Sequence, residues 1–288
     1  MYFPLCVLFK SNLVFFATLN GGVNMFMKPR GYLIIGAIAI VLLIGGCMLA
    51  NNEESPASVI GLYDGDGTWD TGKIAFMNFF EQEELDWVLL SAKEINETSD
   101  LSAVIDLLWV PGGWAWPYTQ DINSAGVDNI REFVSSGGSF IGTCAGQFYA
   151  ADSIVWEGEK INYPLNLFDG TVKGAIDEIM PWDGFDNTEI YLNEDHPINA
   201  GFPAMLPMTY YGGGELWPGE DDNFIVVAYY GVTGTKAIGT FGYGDGHVLL
   251  IGPHPEMGLT PHGTWNTTGD KTAQWEWLSS AVSWLLEQ

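Results

Sequence analysis

Gly142-Thr143-Cys144-Ala145-Gly146 places a cysteine between two glycines, and His254-Pro255-Glu256 follows 110 residues later. A thiol, an imidazole and a carboxylate are the parts of a cysteine nucleophile with its base and orienting acid. Glycines two positions to either side suit a nucleophile on a sharp strand-to-helix turn, where a strained backbone leaves no room for neighbouring Cβ atoms. The helix that follows would aim its amino terminus at the sulfur and favour thiolate. The Ala145 N–H would face a developing oxyanion, and the Gly112 or Gly113 N–H would supply the second donor that acyl transfer needs. Each sign has an ordinary reading when taken alone. A buried Cys is commonly a small hydrophobe, a lone His a satisfied core or surface residue. Their order, and their places at the ends of elements, join them.

Those elements are legible as apolar runs. Ala57 to Tyr63, Leu85 to Leu90, Ile105 to Val110 and Ser139 to Thr143 read as strands, with helical spacing over Thr71 to Phe80 and Val127 to Val134. Gly137-Gly138 stops the second helix. Near-continuous apolar strands alternating with helices predict an α/β fold, flavodoxin-like, with a mostly parallel central sheet flanked by helices. In such a sheet the functional crevice lies beyond the carboxyl ends of the strands, where Asp64 to Gly67, Pro111 to Gly113 and Cys144 all fall. The second half is β-rich, with strands near Ser153 to Trp156, Met208 to Tyr211, Phe224 to Tyr230, Lys236 to Phe241 and His247 to Ile251. Tyr243-Gly244-Asp245-Gly246 reads as the hairpin turn between the last two. Thr272 to Leu286 reads as a final helix.

The 288 residues suit one domain plus an appendage, since single cores stop growing at about 250 to 300 residues. Residues 1–47 contain no acid, whereas the remainder holds 36 acids against seven bases. So acidic a surface repels nucleic acid and anionic lipid, and no nucleic-acid partner is expected. Lys28-Pro29-Arg30, the apolar Tyr32 to Leu43 and the small Gly45-Gly46 before Cys47 form a secretory-signal pattern with a lipobox-like end, making Cys47 the expected lipid attachment site. Gly31 to Ala50 is also just long enough to span a bilayer as an uncleaved anchor. Either reading puts the domain outside the cytoplasm, because Lys28 and Arg30 mark the inner end. The start then falls at Met25 or Met27, which removes Cys6. The expected organisation is an anchor over 1–47, a polar tether over 48–56 and a folded domain over 57–288. Cys144 is left as the one thiol of that domain, with no internal disulfide.

With these stretches in view, the chain resembles the class I glutamine amidotransferase-like superfamily, and within it the amino-terminal domain family of eukaryotic biotin protein ligases. The resemblance rests on Trp109-Val110-Pro111-Gly112-Gly113, the Cys144 turn, Phe168-Asp169-Gly170-Thr171-Val172-Lys173-Gly174, Tyr210-Tyr211-Gly212-Gly213-Gly214 and Gly252-Pro253-His254-Pro255-Glu256. It implies Cys144 as nucleophile, His254 as general base and then acid, Glu256 as orienting carboxylate, and Gly113 and Ala145 as the oxyanion donors. The implied reaction is attack on a carboxamide or similar acyl carbon of a small-molecule or peptide substrate, followed by hydrolysis of the thioester. No Gly-Arg-Gly-Arg-type biotin and ATP motif occurs, so biotinylation is not expected as this chain's own activity. A catalytically silent binding module on the same fold is the rival expectation.

Asp64, Gly112, Trp114, Tyr211 and Gly213 are the candidate substrate-binding residues. The Asp64-Gly65-Asp66-Gly67 run is also what an Asx turn opening a helix looks like. Trp114, Trp116 and Tyr118 read either as an aromatic wall for a ligand or as core. His196, His247 and His262 lack the paired spacing of a metal site, and neither metal nor cofactor is expected.

Overall fold

Four parallel strands carry the first half of the chain: Val59–Tyr63 (β1), Asp86–Leu90 (β2), Leu107–Val110 (β3) and Ser139–Thr143 (β4). The computed structural model describes residues 58–220, 223–259, 263–267 and 273–288; the expected anchor with Cys47, the tether and His262 lie outside them. β3 and β4 are buried along their whole length, as apolar strands covered on both faces must be. The second half adds Ala151–Trp156 (β5), Glu159–Asn162 (β6), Phe168–Gly174 (β7), Asp186–Leu192 (β8), Met205–Tyr210 (β9), Glu215–Pro218 (β10), Ile225–Tyr230 (β11), Lys236–Tyr243 (β12) and Gly246–Ile251 (β13).

The main sheet has the order β2-β1-β3-β4-β13-β12-β11-β8-β9. Its β2-to-β13 half is wholly parallel, and in the whole sheet only β12 and β8 run against the rest. β12 and β13 form the expected hairpin across Gly244-Asp245. A second, four-stranded sheet, β10-β7-β5-β6, lies apart from the first. The mixed α/β architecture with a parallel, helix-flanked centre and a β-rich second half is therefore the one read from the sequence.

The helices are Asp70–Gln82 (α1), Ala92–Glu97 (α2), Ala115–Asp121 (α3), Ser124–Ser135 (α4), Ala145–Ala150 (α5) and Ala273–Leu286 (α6). Alternation along β3 divides the core, because successive strand residues point to opposite faces. Leu107 and Trp109 join one cluster with Phe76, Phe79 and Phe80 of α1 and Trp277, Leu278 and Val282 of α6. Leu108 and Val110 join the other with Ile130 and Val134 of α4, Phe148 of α5, and Ile154 and Val172 of the second sheet. Each fully buried Phe contributes roughly 1.5–3 kcal/mol. α4 begins at Asn123, whose side chain accepts from the Ala125 and Gly126 N–H groups at 2.9 and 3.2 Å.

Several elements differ from expectation. α2 starts with a reciprocal capping box between Ser91 and Glu94, and α3 follows Trp114 directly; neither was read from the sequence. β7, β8 and β10 were likewise missed. Tyr118, for which wall and core were both open, belongs to the core: it is fully buried and donates to the Pro111 and Gly112 carbonyls at 3.2 and 3.1 Å.

Candidate active site

Cys144 occupies the single residue between β4 and α5, at φ 50° and ψ −105°. A positive φ is costly for a side-chain-bearing residue, and here it turns the chain sharply from strand to helix. The turn closes only because residue 146 is glycine: a Cβ there would strike the Val110 carbonyl. The Cys144 N–H donates to the Ile251 carbonyl at 2.8 Å, tying the elbow to the end of β13. The thiol is nearly buried and donates to the Tyr211 carbonyl at 3.6 Å. Ala145 is the first residue of α5, so its N–H has no acceptor within that helix.

His254 lies three residues past β13, fully buried, and its N–H donates to the Thr209 carbonyl at 2.7 Å. That contact forms an isolated bridge between Thr209 and His254, so the carboxyl end of β9 returns to the end of β13 and brings Tyr211 over the elbow. His254 Nδ1 lies 2.7 Å from Glu256 Oε1, and Glu256 is also fully buried. A carboxylate beside Nδ1 assigns the proton to that nitrogen and leaves Nε2 as the basic atom. Nε2 is enclosed, without a well-formed hydrogen bond among the described residues. Burial alone would lower the His254 pKa. The Glu256 and Cys144 charges, and the bond to Glu256, outweigh it and raise the pKa well above the ordinary histidine value. The surroundings therefore favour imidazolium next to the sulfur. The Trp275 indole holds the Glu256 carbonyl at 3.0 Å, and Trp69 sets its ring edge-on to His254 at 5.5 Å.

The expected residues separate into three groups. Cys144, His254, Gly113, Ala145, Trp114 and Tyr211 all line one cavity of about 180 Å³. Gly112 lies behind it: a Cβ there would sit 2.6 Å from His254 Cε1 and 3.4 Å from Cys144 Cβ. Its carbonyl accepts from the Trp69 N–H at 2.9 Å, while the Gly67 carbonyl accepts from the Trp114 N–H at 2.8 Å. The Asp64–Gly67 loop thus clamps the Pro111–Gly113 loop from outside. Asp64 itself does not line the cavity; its carboxylate is bonded to Lys73 in a separate polar cleft, which corrects its expected place at the substrate. Gly213 is also displaced from the expected role. It packs backbone to backbone on Gly252, and its neighbour Gly212 lines the cavity instead.

The sequence reading missed most of the wall. Trp69, Trp156 and Trp182 line the cavity together with Trp114 and Trp116. Trp114, Trp156 and Trp182 meet one another edge to face at 5.3 to 6.0 Å, and Trp182 stacks on Tyr211 at 5.3 Å. Trp156 shares a face of β5 with Ile154, two residues before it, and both line the cavity; Trp69 and Trp182 follow no such period and lie outside helices and strands. His196 has no part in the site: it is buried, and its Nε2 lies 3.2 Å from Thr240 Oγ1. No cluster of potential metal ligands occurs among the described residues.

The family described as biotin-protein ligase, N terminal, matches residues 90–279. A biotin-protein ligase of Schizosaccharomyces pombe is 28% identical over 219 residues, which are 68% of this chain and 33% of the ligase. The chain thus spans about a third of that relative's length. Among solved structures, a glutamine amidotransferase from Thermotoga maritima superposes with a TM-score of 0.53 at 11% identity, over 81% of this chain and 100% of the other. At that identity the likeness is one of fold.

Proposed function

Because the chain belongs to the family of biotin-protein ligase N-terminal domains on an amidotransferase-like fold, we propose that it is a cysteine-dependent amidase or related acyl hydrolase. The observation that carries this reading is the buried Glu256–His254 pair at 2.7 Å, with Nε2 left for Cys144 and an imidazolium favoured by both neighbours. His254 takes the thiol proton, and Cys144 Sγ attacks the acyl carbon. The N–H groups of Gly113 and Ala145, beside the sulfur at the cavity floor, receive the oxyanion. His254 then gives its proton to the leaving amine as the C–N bond breaks. Water activated by the same nitrogen attacks the thioester, the C–S bond breaks and the acid leaves. Glu256 holds the ring in the tautomer these steps need.

The setting proposed is the outer face of a membrane, reached through residues 1–47. Its support is the basic flank, the apolar stretch and Cys47. No helix among the described residues is long and apolar enough to cross a membrane. Mass spectrometry of the membrane fraction is expected to find residue 47 as a lipid-modified amino terminus; an intact peptide from residue 27 across residue 47 would mean an uncleaved helix.

One observation favours the rival reading of a silent binding module: the thiol points its proton at the Tyr211 carbonyl in a nearly closed site. Acylation distinguishes the two. The full chain incubated with p-nitrophenyl acetate is expected to gain one acetyl group on Cys144, none in Cys144→Ala, and to react about 10²- to 10⁴-fold more slowly in His254→Ala. Equal rates in wild type and His254→Ala would remove the enzyme reading.

A further inference from the structure

Resting on the cysteine acyl-transfer reading above, the geometry points to a neutral, apolar acyl group as the substrate class of this pocket, with glutamine excluded. Among the described residues no Asp, Glu, Lys or Arg lines the cavity; the ionisable groups among them that do are Cys144, His254 and the hydroxyls of Tyr163 and Tyr211. Burial pushes Tyr163 up to about 12, and burial with the charges of Asp183 and Cys144 raises Tyr211, so both walls stay neutral near pH 7. Glutamine would bring an α-ammonium and an α-carboxylate into this enclosure. The α-ammonium would meet no carboxylate among the described lining residues, and the α-carboxylate only an imidazolium already shared by Glu256 and Cys144, the costly way to bury an ion. A hydrocarbon or aryl chain meets no such cost, because it displaces water from aromatic faces on every side.

The same walls give the chain a direction and a length. The sulfur and the oxyanion donors form the floor; Ile154, Trp156 and Ile161 of the β5–β6 hairpin form the far wall, with Trp114 and Trp182 between. A cavity of about 180 Å³ is room for more than an acetyl group. A medium-length alkanoyl or arylalkanoyl amide therefore places its carbonyl at Cys144 and its tail against the second sheet. Attack forms the S–C bond, the C–N bond breaks, the thiol proton leaves on the amine through His254, and water returns Cys144 with release of the apolar acid.

The test compares p-nitroanilides with one leaving group: acetyl, butyryl, hexanoyl, 3-phenylpropanoyl and γ-glutamyl, hydrolysed by the full chain. Expected is a rise in kcat/KM of about fourfold per added methylene until the pocket is filled, with hexanoyl at least about 100-fold above γ-glutamyl. Trp114 and Trp182 are 52% and 37% exposed, so their replacement spares the fold. Trp114→Ala and Trp182→Ala are each expected to lower the hexanoyl-to-acetyl ratio about tenfold. In parallel, tryptophan fluorescence of Cys144→Ala follows binding of hexanamide against glutamine. Preferred hydrolysis or binding of the glutamyl compound overturns the apolar assignment and leaves the cysteine reading intact. Preferred binding of hexanamide with no hydrolysis of any anilide supports the assignment and counts against the cysteine reading. Equal binding of hexanamide and glutamine overturns the assignment.

Discussion

Gly112→Ala is the sharpest perturbation of the proposed site, because it adds one methyl group without replacing any reacting residue. The new Cβ falls 2.6 Å from His254 Cε1, against an ordinary contact of at least 3.4 Å, so the imidazole must retreat by about 0.8 Å. It cannot do so freely. Glu256 holds Nδ1 at 2.7 Å, the backbone is bonded to Thr209, and Trp69 packs on the ring. A displacement of this size costs about 100-fold in a proximity-dependent step, and overpacking costs roughly 1–3 kcal/mol of stability. The assay is Cys144 acylation by p-nitrophenyl acetate, read as the burst rate and by intact mass, with thermal unfolding measured on the same samples. The expected result is a folded protein, a few degrees lower in Tm, whose acylation is about 100-fold slower. A folded Gly112→Ala protein within about threefold of the wild-type rate would refute the claim that this glycine sets the imidazole-to-sulfur approach.

Two further substitutions separate chemistry from support. Glu256→Gln removes the charge that raises the His254 pKa, leaving burial to lower it, and acylation is expected to fall at least about 100-fold. The sign of the stability effect follows from the raised pKa: the contribution of His254 is complete below about pH 6.5 and is lost as the pH climbs through the higher folded value. Unfolding midpoints of the wild type between pH 6 and pH 10 are therefore expected to decline with rising pH, with a flatter profile in Glu256→Gln; parallel profiles would contradict it. Asp64→Asn breaks the bond to Lys73 in the outer cleft, where Lys73 keeps Asp70 at 3.1 Å. The expected outcome is about 0–1 kcal/mol of lost stability and anilide kinetics within about twofold of wild type, whereas a tenfold rise in KM would return Asp64 to the substrate site.

What could be read from the chain depended on whether a residue's role is written in its neighbours. The parallel strands were legible because burial on both faces leaves unbroken apolar runs such as Leu107–Val110. Cys144, His254 and the Pro111–Gly113 loop were legible because each follows such a run and carries glycines that only close approach explains. β7 was hidden by Gly170 and Gly174 inside a strand, where glycine ordinarily argues against one. α3 was hidden because Pro117 falls inside it and Trp114 and Trp116 flank its start, so that the stretch reads as a loop. α2, in contrast, carried a plain capping signal at Ser91 and Glu94, and was passed over because it is only six residues long. The tryptophan wall was legible only in part, at Trp114 and Trp116. Trp69, Trp156 and Trp182 converge only once the second sheet is laid beside the first, and no local pattern encodes that.

The two kinds of residue answer to different physics, and this orders how the site can change. The reacting groups are fixed by backbone: a positive φ at Cys144, a methyl-sized gap at Gly112, a main-chain bond at His254. A one-atom change there costs both rate and stability, so the chemistry is hard to alter while the fold is kept. The wall at Trp114, Trp116 and Trp182 consists of partly exposed side chains, and the rings of Trp114 and Trp182 meet each other and Trp156. Their replacement changes the shape offered to an acyl tail without opening the core. Net charge acts on the same choice from further away, since a formal −26 repels anionic donors before they reach a cavity with no Lys or Arg among its described lining residues. The long-range term weakens with salt, whereas the cost of burying an unpaired carboxylate against indole does not. Selection for a neutral acyl group therefore resides chiefly in the aromatic wall, the part of the site that can vary most freely.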